Sequence, residues 1–127
     1  MIRGIVPLFI SWASILFDTG ASHSFMSSAF ASSLGLKFAC LDVELHVNTP
    51  IKGTVCLNQV CRGCLLSIDD RQLWIDLIVM PNLEFDIIIG MDFLSVYRAS
   101  IDYFKRQVVL FTPEGSCLRL KGDRLEP

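Results

Sequence analysis

The stretch Phe17-Asp18-Thr19-Gly20-Ala21 constrains this chain more than any other part of it. It ends an apolar run, Ala13-Ser14-Ile15-Leu16-Phe17, and precedes Ser22-His23-Ser24-Phe25. One carboxylate is thereby held in a tight turn at the end of a buried strand, where it is half desolvated. Thr19 offers a hydroxyl for local hydrogen bonds, and Gly20 permits close backbone approach. Asp and Gly are also ordinary turn residues, so the triplet alone carries little meaning and its flanks decide.

The bounds are those of one domain. With 127 residues and 52% hydrophobic content the chain can bury a real core, and a mean hydropathy of +0.51 leaves surplus apolar surface suited to a partner. A formal charge of −2, with 11 scattered Lys and Arg, offers no basic patch, so neither nucleic acid nor an anionic membrane is an expected partner. The domain is placed at residues 1–115, followed by a polar C-terminal tail at 116–127.

Ile5 to Phe17 has the length and apolarity of a secretory core segment, but Pro7, Ser11 and Ser14 break it into two short strands, Ile5–Ile10 and Trp12–Phe17. Cleavage after it would also remove the strand that carries Asp18. No stretch reaches the roughly 18 apolar residues of a membrane helix, and an intracellular, cytoplasmic protein is expected.

The five cysteines, Cys40, Cys56, Cys61, Cys64 and Cys117, are an odd set and read as reduced thiols. Cys61-Arg62-Gly63-Cys64 has the spacing of half a zinc site or a redox dithiol. No second pair lies downstream, and neither His23 nor His46 has knuckle spacing to it, so packing at a strand turn is the expected role and no metal or cofactor is assigned.

Beyond the Asp18 turn, Phe25, Met26, Ala29, Phe30 and Leu34 recur at helical spacing, which predicts a short amphipathic helix capped by Ser22 or Ser24 and stopped by Gly35. The period then changes to two. Val43, Leu45 and Val47 alternate with Asp42, Glu44 and His46, and Trp74 to Val79 reads as a mostly buried strand. Between them, Asn48-Thr49-Pro50-Ile51-Lys52-Gly53 has the Pro and Gly of a hairpin tip, and Asp69-Asp70-Arg71-Gln72 predicts a second turn with solvated charges. Asp86-Ile87-Ile88-Ile89-Gly90 reads as a buried strand, Met91 to Tyr97 as a short helix, and Ser100–Asp102 with Gln107–Phe111 as a last hairpin.

Two motifs in this order, hydrophobic-hydrophobic-Asp18-Thr19-Gly20-Ala21 and then Ile88-Ile89-Gly90 opening a helix, resemble the retropepsin-like aspartic proteases. The wording His23-Ser24-Phe25 and Gly90-Met91-Asp92-Phe93-Leu94 is most similar to gypsy-type LTR retrotransposon polyproteins of plants. The resemblance covers roughly Gly4 to Phe111. It implies a mainly β, retropepsin-like fold resembling a closed barrel, with one or two short helices and a flap hairpin. It also implies an aspartic endopeptidase, with no cofactor, that processes a retroelement polyprotein in the cytoplasm or within retroelement particles. Asp18, Thr19 and Gly20 would be its catalytic motif. Ala21, Ser22 and His23 would line the cleft, Thr49, Pro50, Ile51 and Gly53 would belong to the flap, and Ile89 would contact substrate. By residues alone, the hairpin tip reads equally well as a surface turn.

Hydrolysis of a peptide by water needs one carboxylate as base and one acid to polarise the carbonyl, and this chain has one such motif. A symmetric homodimer, with Asp18 of each chain at the twofold axis, supplies the pair. Two carboxylates about 4 Å apart repel by about 4 kcal/mol at an effective dielectric near 20, so the pair holds one shared proton. Thr19 would then lock the two loops together, and Gly20 would present its carbonyl to the substrate backbone. Retroviral relatives carry an acid and an Arg where this chain has Ser22 and Met91, which predicts a different brace, Asp92 with His23. Two other classes of function remain open on the residues: a catalytically inactive, retroelement-derived dimerisation module, and a zinc module at Cys61 and Cys64.

Overall fold

The structure, a computed structural model, describes residues 2–8, 11–49 and 53–122. Pro50 and Ile51, expected in the flap, lie outside the described residues. Apolar, β-branched segments with short turns build strands β1 (Ile2–Leu8), β2 (Ser11–Phe17), β3 (Phe25–Ser27), β4 (Ala39–Thr49), β5 (Gly53–Ile68), β6 (Arg71–Met80), β7 (Ile87–Ile89), β8 (Ser100–Asp102), β9 (Gln107–Phe111) and β10 (Cys117–Lys121). Two single-turn-and-a-half helices, α1 (Ser28–Ser33) and α2 (Met91–Val96), complete the chain.

Seven strands form one sheet in the order β1-β2-β7-β3-β6-β5-β4, and β8, β9 and β10 form a second. The large sheet curls until β1 makes a further bridge to β5 at Leu8↔Leu66. It is a curled sheet in which one edge strand, β1, bridges once to the penultimate strand, β5, and not the continuously closed barrel that the resemblance implies. The mainly β class with two short helices is as read from the sequence.

The packing explains the alternation. On β6, Leu73, Ile75 and Leu77 are buried, while Trp74 and Asp76 between them face solvent. Phe17, Ile15, Met26, Leu66, Leu77, Ile87 and Ile89 are wholly buried in the main core, and a smaller cluster of Phe25, Leu57, Val60, Ile78 and Met80 lies beneath the β4–β5 hairpin. Val43 departs from the expected pattern. It is 79% exposed because the β4–β5 register shifts between Cys40 and Leu45, which breaks the two-residue period ahead of Leu45.

Three further differences have physical causes. Phe25 and Met26 are not helical: Phe25–Ser27 pairs in parallel with Ile78–Met80 of β6, and Phe25 and Met26 also pair antiparallel with β7. Satisfying a sheet on both sides outweighs the helical spacing of their side chains, and the helix starts only after Ser27, whose Oγ accepts from the Phe30 N–H. Asp69 and Asp70 form a two-residue turn with φ of 51° and 63°, and Asp69 Oδ2 accepts from the Arg119 N–H at 3.1 Å, so this carboxylate ties two sheets together instead of being merely solvated. Cys117–Lys121, expected in the polar tail, pairs with β9 as β10, because Leu118, buried, and Leu120, partly buried against the core, alternate with Arg119 and Lys121.

Cys61 and Cys64 sit in the core at a bulge of β5, with Sγ atoms 3.4 Å apart. Gly63 between them has a φ of 68°, and its N–H donates to Asp76 Oδ1 at 2.8 Å.

Candidate active site

The Asp18 turn is suspended between two strand ends. β2 pairs in parallel with β7, so Phe17 lies beside Ile89, and the hydrogen bonding continues one residue further: the Asp18 N–H donates to the Ile89 carbonyl at 2.9 Å. The turn closes on itself, with the Ala21 N–H donating to the Asp18 carbonyl at 3.2 Å. The Gly20 N–H donates to Asp18 Oδ1 at 2.8 Å and so fixes the rotation of the carboxylate. A Cβ at residue 20 would lie 3.2 Å from that same oxygen, so glycine suits the turn by space as well as by freedom.

The second motif clamps the first. The Met91 N–H donates to the Ala21 carbonyl at 2.7 Å, and a Cβ on Gly90 would stand 2.2 Å from the His23 oxygen and 2.8 Å from the Ala21 oxygen. The φ of Gly90 is −104°, an ordinary value, so close approach of backbones, not conformation, requires glycine there. Ser24 is fully buried, and its Oγ accepts from the Gly90 N–H at 2.9 Å while donating to Asp92 Oδ1 at 2.6 Å. Asp92 is therefore a brace, but its partner is Ser24 and not His23. The inward-facing position is Ser24, whereas His23 Nδ1 lies 3.0 Å from Ser22 Oγ at the protein surface.

A cleft of about 800 Å³ opens in front of the turn. Asp18, Gly20, Ala21, Ser22 and His23 line one end, and Leu45, Val47, Thr49 and Val55 of the β4–β5 hairpin form one wall. Phe25, Met80, Leu83 and Ile88 make its floor. Among the described residues lining it, Asp18 is the only acid. Thr19 is exposed at the crown of the turn and Gly53 pairs with Thr49, and neither lines the cleft. Ile89 does not face it either. Strand alternation turns Ile89 into the core, 0% exposed, and presents Ile88 to the cleft in its place.

Of the hairpin wall the sequence points to Thr49 but not to Leu45, Val47 or Val55, and it does not point to the floor. The alternation of Leu45, Val47 and Thr49 carries the signal for the wall, since those three must share a face. Met80 to Leu83 carries none beyond the turn residues Pro81 and Asn82.

A family model described as retroviral aspartyl protease matches residues 1–116. The chain belongs to the retroviral aspartyl protease family. Among solved structures, this family member is similar to the retroviral protease-like domain of Ddi1 from Leishmania major, with a TM-score of 0.70 and 18% identity over 98% of each chain. It is also similar to the EIAV protease, solved in complex with the inhibitor HBY-793, with a TM-score of 0.59 and 19% identity over 79% of this chain and 90% of that one. At these identities both likenesses speak for the retropepsin-like fold. No curated protein matches the chain.

Proposed function

We propose that this retroviral aspartyl protease family member is an active aspartic endopeptidase whose catalytic dyad is formed by Asp18 from each of two chains. The observation that carries this reading is the single Asp18 carboxylate, oriented by Gly20 at the end of a long apolar cleft with no second acid along its described lining. The other acids near the turn are engaged elsewhere. Asp92 accepts from the Ser24 N–H and Oγ, and Asp86 Oδ2 accepts from the Ser14 N–H while Ser14 Oγ receives the Asp86 N–H. Retropepsin-like proteases work on polypeptides as dimers, which supports a second chain as the source of the second carboxylate.

In this mechanism the two Asp18 carboxylates share one proton. The ionised one takes a proton from the attacking water, and the protonated one polarises the scissile carbonyl. The protein contributes orientation: the Gly20 N–H holds the Asp18 oxygen, and the Ile89 carbonyl holds the backbone beneath it. Leu45, Val47 and Val55 opposite Phe25 and Ile88 suit an extended peptide with apolar side chains, and the β4–β5 hairpin acts as the flap that excludes water. Thr19 is exposed beside Asp18, which supports a contact with its counterpart across the axis.

The His23-Ser24-Phe25 and Gly90-Met91-Asp92-Phe93-Leu94 wording supports a plant gypsy-type origin, with a retroelement polyprotein as substrate. Five thiols in the free state suit a reducing, intracellular location. The test is cleavage of a peptide library by the wild type and by Asp18→Asn. Turnover by the wild type that is blocked by a statin-type transition-state mimic and abolished in Asp18→Asn is expected. Substantial turnover in the variant contradicts the aspartic mechanism, and none in the wild type leaves the inactive dimerisation module as the reading.

A further inference from the structure

The β4–β5 hairpin carries a cluster of side chains of which only His46 also borders the cleft, while Glu44 and Cys56 lie outside its lining. In the antiparallel ladder His46 stands directly opposite Cys56, and Glu44, two residues before His46 on β4, projects from the same outer face. All three are exposed. Cys56 Sγ lies 3.5 Å from His46 Nδ1, and Glu44 Oε1 lies 3.4 Å from His46 Nε2. One donor atom can be chosen from each residue such that all lie within 4.8 Å of one another.

We propose that Glu44, His46 and Cys56 form a zinc site on the outer face of the hairpin, with water as the fourth ligand. The donor set decides the metal. A thiolate with an imidazole selects a borderline-soft cation such as Zn²⁺ over Mg²⁺ or Ca²⁺, and three protein donors with one open position is a common tetrahedral arrangement. For the imidazole and thiolate the geometry agrees: donors at about 2.0 and 2.3 Å from a tetrahedral centre stand about 3.5 Å apart, which is the separation between Nδ1 and Sγ, while Glu44, now beside Nε2, must rotate toward the Nδ1 side to complete the set. The two strands hold that pair in place through the Leu45↔Leu57, His46↔Cys56 and Val47↔Val55 register, so little ordering is needed on binding. Cys56 ligates as the thiolate, so binding of Zn²⁺ releases its proton to solvent.

Such a site joins β4 to β5 beyond the backbone ladder, at the outer side of the hairpin, with His46 at the border of the cleft. It does not depend on whether the cleft hydrolyses peptides. It was hidden in the sequence because its ligands are brought together by hairpin register, while the more conspicuous Cys61 and Cys64 are buried in the core.

The experiment uses the full chain, kept reduced with a phosphine, and cobalt(II) as a spectroscopic stand-in for zinc. One equivalent of cobalt(II) is expected to give tetrahedral ligand-field bands and a thiolate-to-cobalt charge-transfer band, both displaced by Zn²⁺. The thiolate band should vanish in Cys56→Ser, His46→Asn should weaken Zn²⁺ binding at least about tenfold, and Cys40→Ser should retain both. Since the replaced side chains are exposed, each variant should melt like the wild type without metal, and Zn²⁺ should raise the melting temperature of the wild type and of Cys40→Ser but not that of Cys56→Ser. No thiolate band in the wild type, or a band that survives in Cys56→Ser, overturns the proposal.

Discussion

Ser24 and Asp92 meet through two hydrogen bonds: Ser24 Oγ donates to Asp92 Oδ1 at 2.6 Å and the Ser24 N–H donates to Asp92 Oδ2 at 3.1 Å. The pair joins the residues after the Asp18 turn to the first turn of α2, where the Phe93 N–H also donates to Asp92 Oδ1. An acid in the first turn of a helix is favoured by the helix dipole as well as by these donors. This contact holds together the two sequence motifs that frame the site.

Breaking the brace should loosen the fold around Asp18 before it affects the chemistry. Ser24→Ala leaves the Gly90 N–H without its acceptor in a fully buried position and is expected to cost about 1–3 kcal/mol. Asp92→Asn should cost about 1 kcal/mol and reduce, not abolish, turnover. Thermal melts beside activity at low temperature separate the two effects. An Asp92→Asn protein that melts like the wild type but is inactive would make Asp92 a second catalytic acid.

Gly90 is the position least able to accept a side chain. Because the Cβ would meet backbone atoms of Ala21 and His23, Gly90→Ala must move the loop that carries Asp18. The expected loss is about 3 kcal/mol, with activity lost together with stability. A variant of native stability would show that the two loops are not packed as described.

Ile88 and Ile89 should behave oppositely. Ile89→Ala removes a wholly buried side chain and should cost about 2–5 kcal/mol. Ile88→Ala opens the floor of the cleft and should raise KM for peptides with a bulky apolar side chain, with a smaller loss of stability. Peptide kinetics and denaturant melts on the two variants test the assignment.

Burial, aided by the Cys61 hydrogen bond, holds the Cys64 thiol well above its ordinary value of 9.0. The native chain keeps this proton where the unfolded chain loses it, so stability should fall as pH rises above about 9. Cys64→Ala should flatten that part of the curve. In the native state a thiol reagent should titrate Cys40, Cys56 and Cys117, and reach Cys61 and Cys64 only on unfolding.

The legible parts of this protein were those whose signal is local. The Asp18 turn, the Ile87–Ile89 strand, α2 and the last hairpin follow from short-range pattern, and they were read close to where they stand. Phe25 and Met26 were misread because pairing with β6 and β7, distant in sequence, outweighs their helical spacing. Leu118 and Leu120 alternate with Arg119 and Lys121, a strand signal too short to stand out from the polar segment around it. At the site, Asp18 was legible from its motif, but the inward position of Ser24 and the exchange of Ile88 for Ile89 depend on the phase of strands whose register only the fold sets.

The central claim is that two chains make one active site, and a dilution series tests it most directly. Activity per chain would be measured beside sedimentation at each concentration. Specific activity should fall in proportion to the loss of dimer, and excess Asp18→Asn chains should poison the wild type, since a mixed dimer holds one carboxylate and one amide. Constant activity per chain across concentrations where only monomer sediments would contradict it.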